Sequence, residues 1–158
     1  VVRLILRDHR IVEDLLRQLR DGGPSERRHA LRDLAQLYTA HVRAEEAEVY
    51  PALKRYGGID NGQIERGVAR HGEGTEALLD LLDADERSPC AWDARLAELV
   101  ASVTEYADET ERTLLADARE RVTRAGRTRL GAAFARERAE QLRTCSGDLA
   151  DVRRRVHG

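Results

Sequence analysis

Residues 102–113 read SVTEYADETERT and stand where a second copy of an earlier stretch, TAHVRAEEAEVYP at residues 39–51, would be expected. In the earlier copy His41 precedes Glu45 by four residues, so both side chains share one helix face, one turn apart. That is the frame of a metal-binding helix. The later copy keeps the frame and changes the ligands, with Tyr106 in the His place and Thr110 in the Glu place. Two carboxylates, Glu109 and Glu111, flank Thr110.

The rest of the chain must be able to position these groups, and its periodicity is helical throughout. Ile5, His9, Val12, Leu16 and Leu19 form one face of a helix that Gly22, Gly23 and Pro24 end. A second helix, capped by Ser25, carries Leu31, Leu34, Tyr38, His41, Glu45, Val49 and Leu53 inward. Pro51 should kink it, and Gly57 and Gly58 should end it. A third, over 61–84, turns Ile64, Val68, His71, Thr75, Leu78 and Leu82 to one side. A fourth begins after Pro89 and brings in Leu96, Val100, Val103, Tyr106 or Ala107, Thr110 and Leu114. Beyond Gly126 a charged fifth helix runs through Leu130, Phe134, Leu142, Leu149 and Val152, with Gly131 and Gly147 as weak points.

No strand pattern competes with this reading, which makes the fold all-α. Short connections between long helices give antiparallel neighbours, so the expected architecture is an up-down-up-down four-helix bundle over residues 1–123, with a helical extension over 124–158. Each bundle helix then delivers a polar group to an otherwise apolar stripe. A buried imidazole or carboxylate without a partner costs several kcal/mol, comparable to what a whole domain has to spare. These groups therefore need one another or a metal, and the nitrogen and oxygen donors suit iron, zinc or manganese. Of the tyrosines on the second helix, Tyr38, one turn before His41, is the better candidate to support a ligand, and Tyr50 reads as packing.

Composition narrows the alternatives. A chain of 158 residues suffices for one domain with a proper core. Its 27 basic and 29 acidic side chains leave a formal charge of −2, so no global field draws it to nucleic acid or an anionic membrane. Arginines cluster in the extension, among them Arg127, Arg129, Arg136, Arg138, Arg153, Arg154 and Arg155. Acidic residues interleave with them, which favours a solvated or homodimer-packing helix over a nucleic-acid surface. Cys90 and Cys145 do not make a disulfide framework, no apolar run has transmembrane length, and residue 1 opens directly in a helical pattern. A cytoplasmic location is expected.

The stretches LRDHRIVEDLL, HVRAEEAEVYPAL and VARHGEGTEALLDLL, with a fourth helix shaped like the second, resemble the hemerythrin family in its HHE cation-binding branch. The resemblance spans residues 3 to 120. It implies a bundle holding two iron ions joined by an oxo or hydroxo bridge and by carboxylates. By that resemblance His9 and His41 would bind one iron, His71 the other, and Glu45 would bridge.

The departures from the family pattern are informative. One turn after the third-helix His the family often has another ligand, where this chain has Thr75. The adjacent Gly72 and Gly74 weaken the helix by about 1 kcal/mol each. An open iron position near Thr75 is the resulting expectation. Tyr106 replaces a family His, and stands either as a ligand or as a core tyrosine whose hydroxyl finds a hydrogen bond. As a phenolate it would be a hard donor that favours ferric iron. On a helical wheel Glu111 lies about 60° and Glu109 about 140° from the centre of the fourth-helix stripe. Glu111 is accordingly the candidate carboxylate.

Three classes of function fit such a centre. A diiron oxidoreductase with catalase-like or nitric-oxide-consuming activity would take a peroxide or diatomic ligand at the open position. A reversible oxygen carrier needs a stable diferrous state, which a phenolate disfavours. A sensor or iron-binding module would need metal-dependent stability without turnover.

Overall fold

The computed structural model describes residues 1–85 and 87–157. Its helices are α1 (Val2–Asp21), α2 (Pro24–Ala44), α3 (Tyr50–Leu53), α4 (Asn61–Asp83), α5 (Pro89–Arg112), α6 (Leu114–Arg121), α7 (Arg124–Thr144) and α8 (Leu149–His157), with a π-helical turn, Glu45–Val49, joining α2 to α3. No strand occurs among the described residues, and none of their helices is long and apolar enough to cross a membrane.

Helix starts follow local chemistry. Pro24 occupies the first turn of α2 behind an extended Gly23, so that helix begins one residue before the expected Ser25 cap. Proline fits there because its missing N–H would be unpaired anyway. Pro89 opens α5 in the same way. Asp60 caps α4 by accepting the Gly62 N–H at 2.9 Å, and Thr123 caps α7 by accepting that of Gly126 at 3.1 Å.

The core divides into two apolar clusters. One gathers Ile5, Leu53, Ile64, Leu115 and Phe134; the other gathers Leu16, Leu34, Leu78, Leu99 and Val152. Helix α1 runs from the first cluster to the second, α2 returns, α4 goes out and α5 comes back. That alternation is the expected antiparallel four-helix bundle. Between the clusters, at mid-height, lies a layer of buried polar side chains: Asp8, His9, His41, Glu45, His71, Thr75, Tyr106 and Thr110.

Two sequence readings of the helix faces need correction. Val68, expected inside, is exposed, and the buried position on that turn of α4 is Gly67. The fourth helix does not run unbroken to Leu114: Thr113, with φ −113° and ψ −84°, separates α5 from α6.

The extension is built into the bundle. Leu130 and Phe134 of α7 join the first cluster, while Val152 of α8 is fully buried in the second, with Leu149 and Val156 packed against it. The helix passes through Gly131 and breaks near Gly147, whose φ of +74° belongs to the left-handed region that glycine tolerates. Asp148 caps α8 by accepting the Asp151 N–H at 2.8 Å, and Asp151 accepts the Ser146 N–H at 2.8 Å in return.

Candidate metal centre

Helix α2 brings His41 to mid-height, and the turn that follows is where the chain departs from α geometry. Pro51 lacks an N–H and its ring crowds the carbonyl one turn back, and the widened π-turn just before it relieves that crowding. The kink expected at Pro51 therefore takes the form of an inserted π-turn. One consequence is a five-residue step from Glu45 to Tyr50, across which the Tyr50 hydroxyl donates to Glu45 Oε2 at 3.2 Å.

The three imidazoles share one arrangement. His9 Nδ1 stands 2.9 Å from Glu111 Oε1, His41 Nδ1 3.2 Å from Asp8 Oδ2, and His71 Nδ1 3.2 Å from Glu46 Oε1. At His9 and His41 the carboxylate at Nδ1 draws the proton to that nitrogen and leaves Nε2 with its lone pair, whereas His71 has a second carboxylate oxygen, Glu45 Oε2, 3.0 Å from its Nε2. His9 Nε2 and His41 Nε2 are buried and have no hydrogen-bond partner among the described residues, and Glu45 Oε1 is in the same condition. Burial, and then the neighbouring His41, push His9 below the ordinary imidazole range, so the ring is neutral at neutral pH.

Glu45 Oε2 sits at the middle of this layer. His71 Nε2 lies 3.0 Å away, Tyr106 and Tyr50 both donate their hydroxyls to it, and His41 Nε2 is at 3.6 Å. Burial by itself would raise the Glu45 carboxyl, but the neighbouring His41 ring, the His71 contact and the Tyr106 hydrogen bond outweigh it and hold the group at about 2. Burial is also the largest influence on His71, pulling it down; the carboxylates of Glu45 and Glu46 overcome it and leave that ring above its usual range. Tyr106 is fully buried, and burial followed by the Glu45 charge raises its phenol well above the ordinary value.

Tyr50, which the sequence suggests is packing, bonds Glu45 and also approaches His71 Nε2 at 3.2 Å. Tyr38, the favoured supporting residue, keeps a buried hydroxyl with no partner among the described residues. The two rings lie against glycines of α4. A Cβ on Gly67 would come within 2.8 Å of the Tyr50 oxygen, and one on Gly74 within 2.1 Å of the Tyr38 oxygen. Gly74 thus makes room for the Tyr38 side chain from the opposite helix.

A cavity of about 20 Å³ is bounded by His9, Val12, His41, Val103, Tyr106 and Ala107, and Thr75 does not line it. Space of that order admits one water-sized molecule. On α5, Glu109 pairs at the surface with Arg66 at 3.3 Å and Arg70 at 3.7 Å, whereas Glu111 reaches the site through His9.

Gly74→Ala should be destabilising through this contact. Alanine favours a helix by about 1 kcal/mol over glycine, but a 2.1 Å approach must be relieved by shifting Tyr38 or α4, at about 1–3 kcal/mol. Tyr38→Phe alone should cost little, because its hydroxyl bonds nothing. Combined with Gly74→Ala it should recover part of the loss, giving a favourable coupling in a urea-unfolding double-mutant cycle. Strict additivity would show that the two side chains do not compete for space.

Among the described residues, no three His, Cys, Asp or Glu side chains already surround one point as ligands would. The donor set nevertheless fits a cation. Three imidazoles are oriented by outer carboxylates, and two of their inner nitrogens and one carboxylate oxygen are buried without partners. Comparisons with known proteins agree. Neither curated proteins nor solved structures provide a match. A profile described as hemerythrin HHE cation binding domain matches residues 1–118 of the chain. With the bundle, the polar layer and that match together, the chain belongs to the hemerythrin family, in its HHE cation-binding branch.

Proposed function

We propose that the polar layer holds two iron ions and that the protein consumes a small oxidant, hydrogen peroxide or nitric oxide. The observation that supports this most is the common orientation of His9, His41 and His71, each with Nδ1 on a carboxylate. His9, His41 and Glu45 would hold one ion; His71, Tyr106 and the shared Glu45 would hold the other. In this reading Glu111 orients His9 from outside, as Asp8 and Glu46 orient the other two rings. Bound there, iron would supply electrons and Lewis acidity for the reduction or dismutation of a small oxidant.

The chain's own residues would define the reactant and manage protons. The small cavity has room for a peroxide or diatomic molecule, and Val12, Val103 and Ala107 give it apolar walls. The Tyr50 hydroxyl, on Glu45 Oε2, would keep a proton one hydrogen bond from the site. A phenol in the fourth-helix ligand position favours oxidised iron, which sets turnover ahead of reversible oxygen carriage.

Iron-reconstituted protein should contain about two irons per chain and, in stopped-flow mixing, consume peroxide or nitric oxide faster than it forms a dissociable oxygen adduct. A stable oxygen adduct without consumption of either oxidant would favour carriage. Iron uptake with no reaction would favour a sensing or iron-binding module. A single tetrahedral zinc would overturn the diiron assignment.

A further inference from the structure

We infer that Arg138, on the helix that follows the cation-binding domain, is a positioning residue of the metal centre, holding Asp8 and through it the His41 ring with Nε2 turned into the site. The inference rests on the metal-centre reading for its purpose and on geometry for its placement. Arg138 Nε donates to Asp8 Oδ2 at 2.6 Å, and His41 Nδ1 is 3.2 Å from that same oxygen. One turn earlier on α7, Phe134 sets its ring edge-on to His41, with centroids 5.8 Å apart and an interplanar angle of 81°. Helix α7 therefore supplies both the cation that fixes the carboxylate and an apolar wall that fixes the ring.

The other two outer carboxylates do not need such help. The Glu111 side chain is 42% exposed and that of Glu46 31%, so water can solvate both. Asp8 is 3% exposed, and a carboxylate at that depth stays in place only with a charged partner. Arg138, 25% exposed, brings that partner in from the surface. A cavity of about 140 Å³, bounded by Leu4, Arg7, Asp8, Phe134, Ala135 and Arg138, lies just outside the pair. Without the guanidinium, Asp8 has water to turn toward, and His41 loses the acceptor that selects its tautomer. Both arginine and phenylalanine lie beyond residue 118, where the family match ends.

The test compares full-length Arg138→Gln, Arg138→Lys and, as a control, Arg136→Gln, an exposed arginine of the same helix. Long-range proton–nitrogen spectra of the metal-free protein should show His41 of the wild type protonated at Nδ1. Arg138→Gln should give mixed tautomers, Arg138→Lys should largely restore the single form, and Arg136→Gln should match wild type. Affinity for ferrous iron alone, measured against a chelator, should fall about 10–100-fold in Arg138→Gln and recover partly in Arg138→Lys. Retention of the wild-type tautomer in Arg138→Gln, or its loss without a change in affinity, overturns the inference. Wild-type protein that takes up no iron overturns the metal-centre reading itself, and the tautomer comparison separates that result from a failure at Arg138.

Discussion

Iron-loaded protein should unfold about 4 kcal/mol harder than the chelated form when free metal is near a thousand times the dissociation constant. For a domain of this size that is about 10 °C in Tm. The expectation follows from the layer between the two apolar clusters. His9 Nε2, His41 Nε2 and Glu45 Oε1 are buried with no partner among the described residues, and each such group costs about 1–3 kcal/mol while it stays unsatisfied. A cation that accepts their lone pairs removes those penalties and binds the folded state alone, so its binding free energy appears as stability. The two clusters, Ile5 to Phe134 on one side and Leu16 to Val152 on the other, do not depend on it. Chelated protein should therefore keep its helical circular dichroism at low temperature and melt early, and iron should restore the higher transition. Coincident melting curves with and without chelator would show that the layer satisfies itself and is not a metal cage.

What could be read from the sequence was what lies along single helix faces. Steps of three, four and seven residues place His9, His41, Glu45, His71 and Tyr106 on inward stripes, and the structure buries all five in one layer. The same steps failed wherever the face is chosen by a neighbouring helix. On α4 an apolar scale selects Val68, but the packed position is Gly67, because the Tyr50 oxygen needs its empty surface. The π-turn adds a residue to the α2 face and brings the Tyr50 hydroxyl onto Glu45, which a constant 3.6-residue period cannot foresee. Asp8, Glu46 and Arg138 were invisible for a different reason. Each is a charged residue in a charged chain, and only contacts across many residues of sequence show that they hold His41 and His71 in place. The extension was legible as one helix with weak points at Gly131 and Gly147, of which only Gly147 lies at a break, but not as a wall of the site.

Tyr106→Phe should remove a visible absorption band that appears only when iron is bound. In the metal-free protein, burial and then the Glu45 charge raise the Tyr106 phenol well above its ordinary value, so the ring stays protonated and colourless at any working pH. Charge transfer from phenolate to iron can therefore arise only if a cation displaces that proton, which makes the band a direct report of ligation. Phenylalanine fills the same buried volume and keeps the ring contacts with His71 at 4.7 Å and His9 at 5.7 Å, so the bundle should fold. The lost hydroxyl also frees one of the hydrogen bonds to Glu45 Oε2, at a cost of about 1.5–3 kcal/mol for a bond to a charged group. Peroxide or nitric-oxide consumption should fall, since the oxygen donor that favours ferric iron is gone. Tyr106→His restores the residue type found at His41 in the earlier copy. It should abolish the phenolate band as well, but raise the reduction potential and make a diferrous, oxygen-binding state easier to reach. A Tyr106→Phe protein with unchanged spectrum, iron content and oxidant reactivity would reduce this side chain to a packed ring bonded to Glu45. Oxygen carriage or iron sensing would then stand ahead of turnover.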